Sequence, residues 1–126
     1  MNRFENAALK LYNAFNKGEL NAMDTCACAV GNLCNNEDFW TGSNYKPFKT
    51  KNITGYDMEE IKNIENLFMF GERDINKRAL WNAQSMTKEN QYNALMAVLE
   101  YLSELDNIKF PLLTVDDFKR VLQNNN

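Results

Sequence analysis

The chain has no histidine, and its 126 residues include only two prolines, five glycines and three cysteines. Without histidine, the usual general base near neutral pH and the commonest zinc ligand are both missing. Serine or cysteine triads of the familiar kind are therefore excluded. Long apolar runs are missing too: ALMAVL at 94–99 falls far short of the ~20 residues a membrane span requires. The opening MNRFENAALKLYNAF carries no signal-peptide apolar region or cleavage site. The expectation is a soluble, cytoplasmic protein with no membrane contact, in which an odd number of cysteines stays reduced.

An excess of one charge is also lacking. The net charge is −3, from 14 basic and 17 acidic side chains. Residues 1–63 hold seven basic and eight acidic groups, and residues 64–126 hold seven and nine. A protein devoted to gripping phosphate backbone usually shows a basic surplus, and −3 is too small for a nucleic-acid mimic. No phosphate-cradling glycine loop, nucleophile elbow or calcium loop occurs, so no cofactor and no catalytic residue are expected.

What is present suits one globular domain over 1–126, with 123–126 frayed. Hydrophobic residues make up 44% and aromatics 12%, and a chain of this size buries roughly 65–70% of its unfolded surface. Twenty asparagines fit the codon bias of an AT-rich genome.

Apolar spacing then organises the chain. Phe4, Ala8, Leu11 and Phe15 mark one face of a helix over about 2–17, ended by Gly18. Asp24 or Thr25 is suited to cap a second helix over 25–34. Met58, Ile61, Ile64 and Phe68 mark another, with Asp57, Glu59 and Glu60 in its first turn and Gly71 after it. Residues 74–84 predict a short helix capped by Asp74, with Ile75, Ala79 and Leu80 inward. Thr87 opens the strongest element, whose stripe of Tyr92, Leu95, Met96, Leu99, Tyr101 and Leu102 is wide enough for a central helix. Pro111 breaks the pattern, and Thr114 begins a capping-box variant ahead of Val115, Phe118 and Leu122. Between Asn35 and Thr54 periodicity vanishes, which predicts a long aromatic-rich loop, with two short strands concealed in it as the alternative. The fold class predicted is all-α, an irregular bundle of five or six helices.

All three cysteines lie in CACAVGNLC, at 26, 28 and 34. A structural zinc site wants four ligands, commonly in two close pairs, and no second pair exists. On a helix, Cys26 and Cys28 stand about 200° apart, whereas Cys26, Val30 and Cys34 recur on one face. Packing is the favoured reading, since free cysteine behaves as a small buried hydrophobe. A three-thiolate site completed by Asp24 or Glu37 needs an extended segment, and redox work lacks both the usual spacing and a basic neighbour.

The stretches CACAVGNLC, ITGYDMEEIKNIENLF and NQYNALMAVLEYLSEL resemble a group of small bacterial and phage proteins sharing a Cys-Ala-Val-Gly-Asn core and a later Leu-Met-Ala-Val helix. The resemblance covers roughly residues 4–105. It implies an origin in a mobile element or its host, and carries no chemistry with it.

Carboxylates cluster at Asp57, Glu59 and Glu60, at Glu100 and Glu104, and at Asp116 and Asp117, and acidic helix starts and solvated faces explain each cluster. More informative is the aromatic and lysine mixture of Phe39, Trp40, Tyr45, Lys46, Phe48, Lys49 and Lys51, with no acid between Phe39 and Tyr56. These seven are the candidate partner-binding residues. Their rings either tuck inward, anchor a protein interface or stack on the bases of RNA or DNA. The functional expectation is a non-enzymatic binding module that occludes a partner protein, in its most specific form an anti-CRISPR-like inhibitor of a host defence nuclease. The alternative is an accessory protein that touches RNA or DNA through the same residues.

Overall fold

The computed structural model describes residues 2–73, 76–82 and 86–108. They form five α-helices: α1 (Arg3–Lys17), α2 (Ala29–Leu33), α3 (Pro47–Thr54), α4 (Met58–Phe70) and α5 (Lys88–Leu105), with a 3₁₀ turn at Gly42–Asn44. No strand occurs among the described residues, so the all-α expectation holds.

The three long helices begin and end where local chemistry directs. The Asn2 side chain accepts the Glu5 N–H at 2.8 Å, satisfying one of the free donors of the first turn. Asp57 and Glu60 form a reciprocal capping box, with bonds of 2.9 and 3.0 Å. Thr87 accepts the Asn90 N–H at 3.1 Å. Gly18 and Gly71 end α1 and α4 in the left-handed conformation, as the spacing predicts. Helix α5 is the centre: Ala94, Leu95, Val98, Leu99 and Leu102 are all but fully buried, because α4 covers one side and α1 another. The short α2 sits on α1 and α4, and the buried side chains of these elements join into one core.

The cysteine segment differs from the expected helix over 25–34. Only 29–33 is α-helical, and its N-cap is Cys28. Asp24 caps a preceding turn: its carboxylate accepts the Cys26 N–H at 2.9 Å, and its carbonyl accepts those of Ala27 and Cys28. Close approach sets this geometry. A Cβ on Gly31 would fall 2.5 Å from the Cys26 carbonyl carbon and closer still to the Thr25 oxygen. The turn thus lies directly on the helix it precedes, and only glycine leaves room.

Two further expectations are corrected. The long loop over 35–54 gives way to α3 from residue 47. No helix forms over 76–82, where Leu80 is 70% exposed rather than inward; the backbone N–H of Leu80 pairs instead with the Phe70 carbonyl at 2.7 Å. Trp81 does the packing, donating to the Phe68 carbonyl at 2.9 Å. The expected elements around Pro111 and Thr114, and the terminus at 123–126, lie outside the described residues.

Arg3 ties the ends of the bundle together. Its guanidinium donates to Asp106 after α5 at 2.6 and 3.0 Å, and to the Gly55 carbonyl between α3 and α4 at 2.8 Å. It also lies 3.6 Å from Glu60 and 4.5 Å from the centre of the Tyr56 ring. The bonded guanidinium holds Asp106 below its ordinary range, so this contribution to stability is present at neutral pH and is lost as acid protonates Asp106.

Replacing Arg3 by Ala is expected to lower unfolding free energy by about 2 kcal/mol and to remove the acid sensitivity contributed by Asp106, as read by denaturant melts between pH 3 and 7. Gly31→Ala is expected to cost about 2 kcal/mol or more, checked by the same melts at neutral pH.

Candidate contact surface on the third helix

Helix α3 is packed inside out. Its buried residues are Thr50 and Thr54, while Phe48 is 84% exposed. The threonine hydroxyls are satisfied within the chain: Thr50 donates to the Lys46 carbonyl at 2.9 Å and Thr54 to the Thr50 carbonyl at 2.8 Å. A further bond runs from the Tyr56 N–H to the Thr54 hydroxyl at 3.1 Å. Small, self-satisfied side chains let this helix lie against α1 and α4 without a buried unpaired donor. The outward face then carries Phe48 among exposed Lys46, Lys49 and Lys51.

The seven candidate residues separate into two sets. Phe39 is buried, and Trp40 is half-buried with its indole donating to the Thr25 carbonyl at 3.0 Å. These two pin the segment to the body of the protein. The backbone N–H of Lys46 donates to the Phe39 carbonyl at 2.7 Å, closing the loop between them. Tyr45, half exposed, joins Lys46, Phe48, Lys49 and Lys51 at the surface. The Lys49 ammonium sits 4.6 Å over the Phe39 ring and 3.8 Å from Glu37, an exposed pair that contributes little energy. Beside this face an open groove of about 400 Å³ is lined by Cys26, Asn36, Glu37, Asp38, Phe39, Lys46 and Lys49.

The cysteines lie behind this surface. Cys28 and Cys34 are buried and Cys26 is partly exposed in the turn before α2, so Cys26 does not continue a helical face with Val30 and Cys34 as the spacing predicts. Burial pushes the Cys34 thiol up to about 12 against the opposing influence of Lys10. Burial also pushes Cys28 up, as does neighbouring Glu65. The Cys28 sulfur accepts the Gly31 N–H at 3.4 Å and faces the Thr25 carbonyl at 3.8 Å. Among the described residues no three His, Cys, Asp or Glu side chains are grouped to hold a metal.

Glu65, which no sequence pattern singles out, is the chemically unusual carboxylate. Burial pushes its carboxyl up to about 7 against the opposing influence of the Cys28 thiol, and Oε2 is buried with no hydrogen-bond partner. The clusters picked out by sequence are more ordinary. Asp57 and Glu60 are engaged in capping, Glu100 and Glu104 edge a shallow cleft with Arg73 and Tyr101, and Asp116 and Asp117 lie outside the described residues. No family model, curated protein or solved structure matches the chain, so the site is read from its own geometry.

The two sets of aromatics are distinguished by stability. Phe39→Ala is expected to cost about 3 kcal/mol, whereas Phe48→Ala should leave unfolding free energy within about 0.5 kcal/mol of the parent. Urea melts of both variants check this.

Proposed function

We propose that the protein is a small binding module that acts by covering a site on a partner protein, through Tyr45, Lys46, Phe48, Lys49 and Lys51. The observation that carries this reading is the reversed packing of α3, with threonines inward and phenylalanine outward. Fully burying an exposed phenylalanine is worth roughly 1.5–3 kcal/mol, and this helix leaves that gain to an intermolecular contact. Exposed aromatic anchors ringed by long polar side chains suit the centre and rim of a protein interface. The reading is one of binding and not of catalysis. In its most specific form, which follows from chain size and from the resemblance to small phage proteins, the partner is a host defence nuclease and the protein its inhibitor.

A second reading rests on the same residues: two exposed rings beside three lysines also suit stacking and phosphate contact with a single-stranded nucleic acid. The even charge balance, with a net of −3, favours the protein partner. No described helix is long and apolar enough to cross a membrane.

Affinity capture from native cells, with half the lysate treated with nuclease, separates the two. Occlusion predicts a protein partner that survives nuclease and is lost on Phe48→Asp while the variant stays folded. Capture abolished by nuclease, together with a salt slope that falls by about one unit per lysine replaced among Lys46, Lys49 and Lys51, contradicts it in favour of nucleic acid.

A further inference from the structure

We infer that the surface of α3 is shaped and charged for a recess: an apolar pocket on the partner protein whose rim carries aspartate or glutamate side chains. The inference rests on the binding role proposed above and adds the shape and the charge of what is bound.

Shape follows from the placement of one ring. At about 100° per residue, Phe48 stands about 160° around α3 from Thr50, which is fully buried. The phenylalanine therefore projects from the body of the protein, and it is 84% exposed. A flat partner would leave part of such a ring in water, whereas a pocket desolvates it on every side, as the anchors of strong interfaces are desolvated.

Charge follows from the lysines around that ring. On the same helical count, Lys49 and Lys51 stand about 100° to one side of Phe48 and about 60° to the other, and Lys46 immediately precedes the helix. All three are exposed, and no acid lies between Phe39 and Tyr56. A positive face thus stands on a molecule whose net charge is −3. The helix opens with Pro47 and no capping side chain, so the partial positive charge of its amino end adds to that of the lysines.

One contact within the chain shows what this face accepts. The Lys49 ammonium lies 4.6 Å over the Phe39 ring and 3.8 Å from the Glu37 carboxylate, an acid beside a cation beside an aromatic plane. Among the described residues Lys46 and Lys51 have no such carboxylate. As Phe48 enters a pocket these ammonium groups lose hydration, and carboxylates on the rim replace it with charge-assisted hydrogen bonds.

Other occupants fit less well. A phosphate backbone laid along the lysines would meet Glu37 and Asp38 across the adjoining groove and be repelled there. A basic cleft of the kind that grips phosphate would be repelled by the lysines themselves. For a nuclease partner, the covered site therefore lies away from such a cleft.

Carbodiimide coupling tests this, because it joins a lysine amine only to a carboxylate held against it. The full chain, tagged, is captured from native cells with half the lysate treated with nuclease, then coupled, and the joined residues are located by mass spectrometry. The Lys49–Glu37 pair reports that the reagent reaches this face. The expected result is an amide bond from Lys46 or Lys51 to an aspartate or glutamate of a partner protein, absent in Phe48→Asp. Lys46→Glu combined with Lys51→Glu should lower capture at least about tenfold. A partner that is lost on Phe48→Asp yet forms no coupled product at these lysines, or is captured equally by the doubly reversed variant, overturns the inference and leaves the binding role standing. Capture indifferent to Phe48→Asp, or abolished by nuclease, overturns both.

Discussion

The guanidinium of Arg3 is the contact on which the arrangement of the helices depends. One side chain at the start of α1 bonds the end of α5 through Asp106 and the corner between α3 and α4 through Gly55. The corner itself is shaped to receive it. A Cβ on Gly55 would meet Arg3 Cβ at 2.8 Å, and Gly55 adopts a left-handed conformation that a side chain would disfavour. Three helix ends thus converge on one planar group that donates in several fixed directions, and the ring of Tyr56 lies beneath it. Lysine carries the charge and lacks the fork.

That convergence explains how α3 can afford its reversed packing. An eight-residue helix whose fully buried residues are both threonines, with Ile53 alone half-buried against the core, gains little from the hydrophobic effect and has low intrinsic stability. It is held instead at both ends, by the Lys46 to Phe39 backbone bond at its start and by Arg3 at the carbonyl that follows it. The outward aromatic therefore contributes nothing that the fold requires. A residue so placed is free to be chosen for an external contact, and this physical freedom links the architecture to the proposed binding role.

The sequence made some of this legible and concealed the rest for specific reasons. Helices α1, α4 and α5 were readable because Phe4, Ala8, Leu11 and Phe15, and their counterparts, place apolar residues at helical spacing between recognisable caps. Helix α3 was hidden because its fully buried positions, Thr50 and Thr54, are polar, so a lone half-buried Ile53 carries no apolar period. Pro47 at its first turn and Gly55 after its last were the available clues. The cysteine helix is shorter than its spacing predicts because residues at 27–31 read as continuous helix, while the seating of Thr25 and Cys26 on Gly31 is a tertiary contact with no local signature. Around Leu80, helical spacing lost to the backbone pairing with Phe70. Glu65 could not be singled out, since burial in the folded protein is what makes it unlike the other acids of α4. In the candidate surface the residue types marked out the stretch from 39 to 51, but only the structure separates Phe39 and Trp40, which pin, from Tyr45 and Phe48, which face solvent.

The central claim is that the outward face of α3 meets a partner protein, and photo-crosslinking in native cells tests it most directly. A photoreactive phenylalanine analogue at position 48, and in a separate variant at the exposed position 104 on α5, would be irradiated and the adducts identified by mass spectrometry. The account predicts a discrete protein adduct at 48 and none at 104. Adducts at 104 alone, or adducts at 48 made only of nucleic acid, would contradict it.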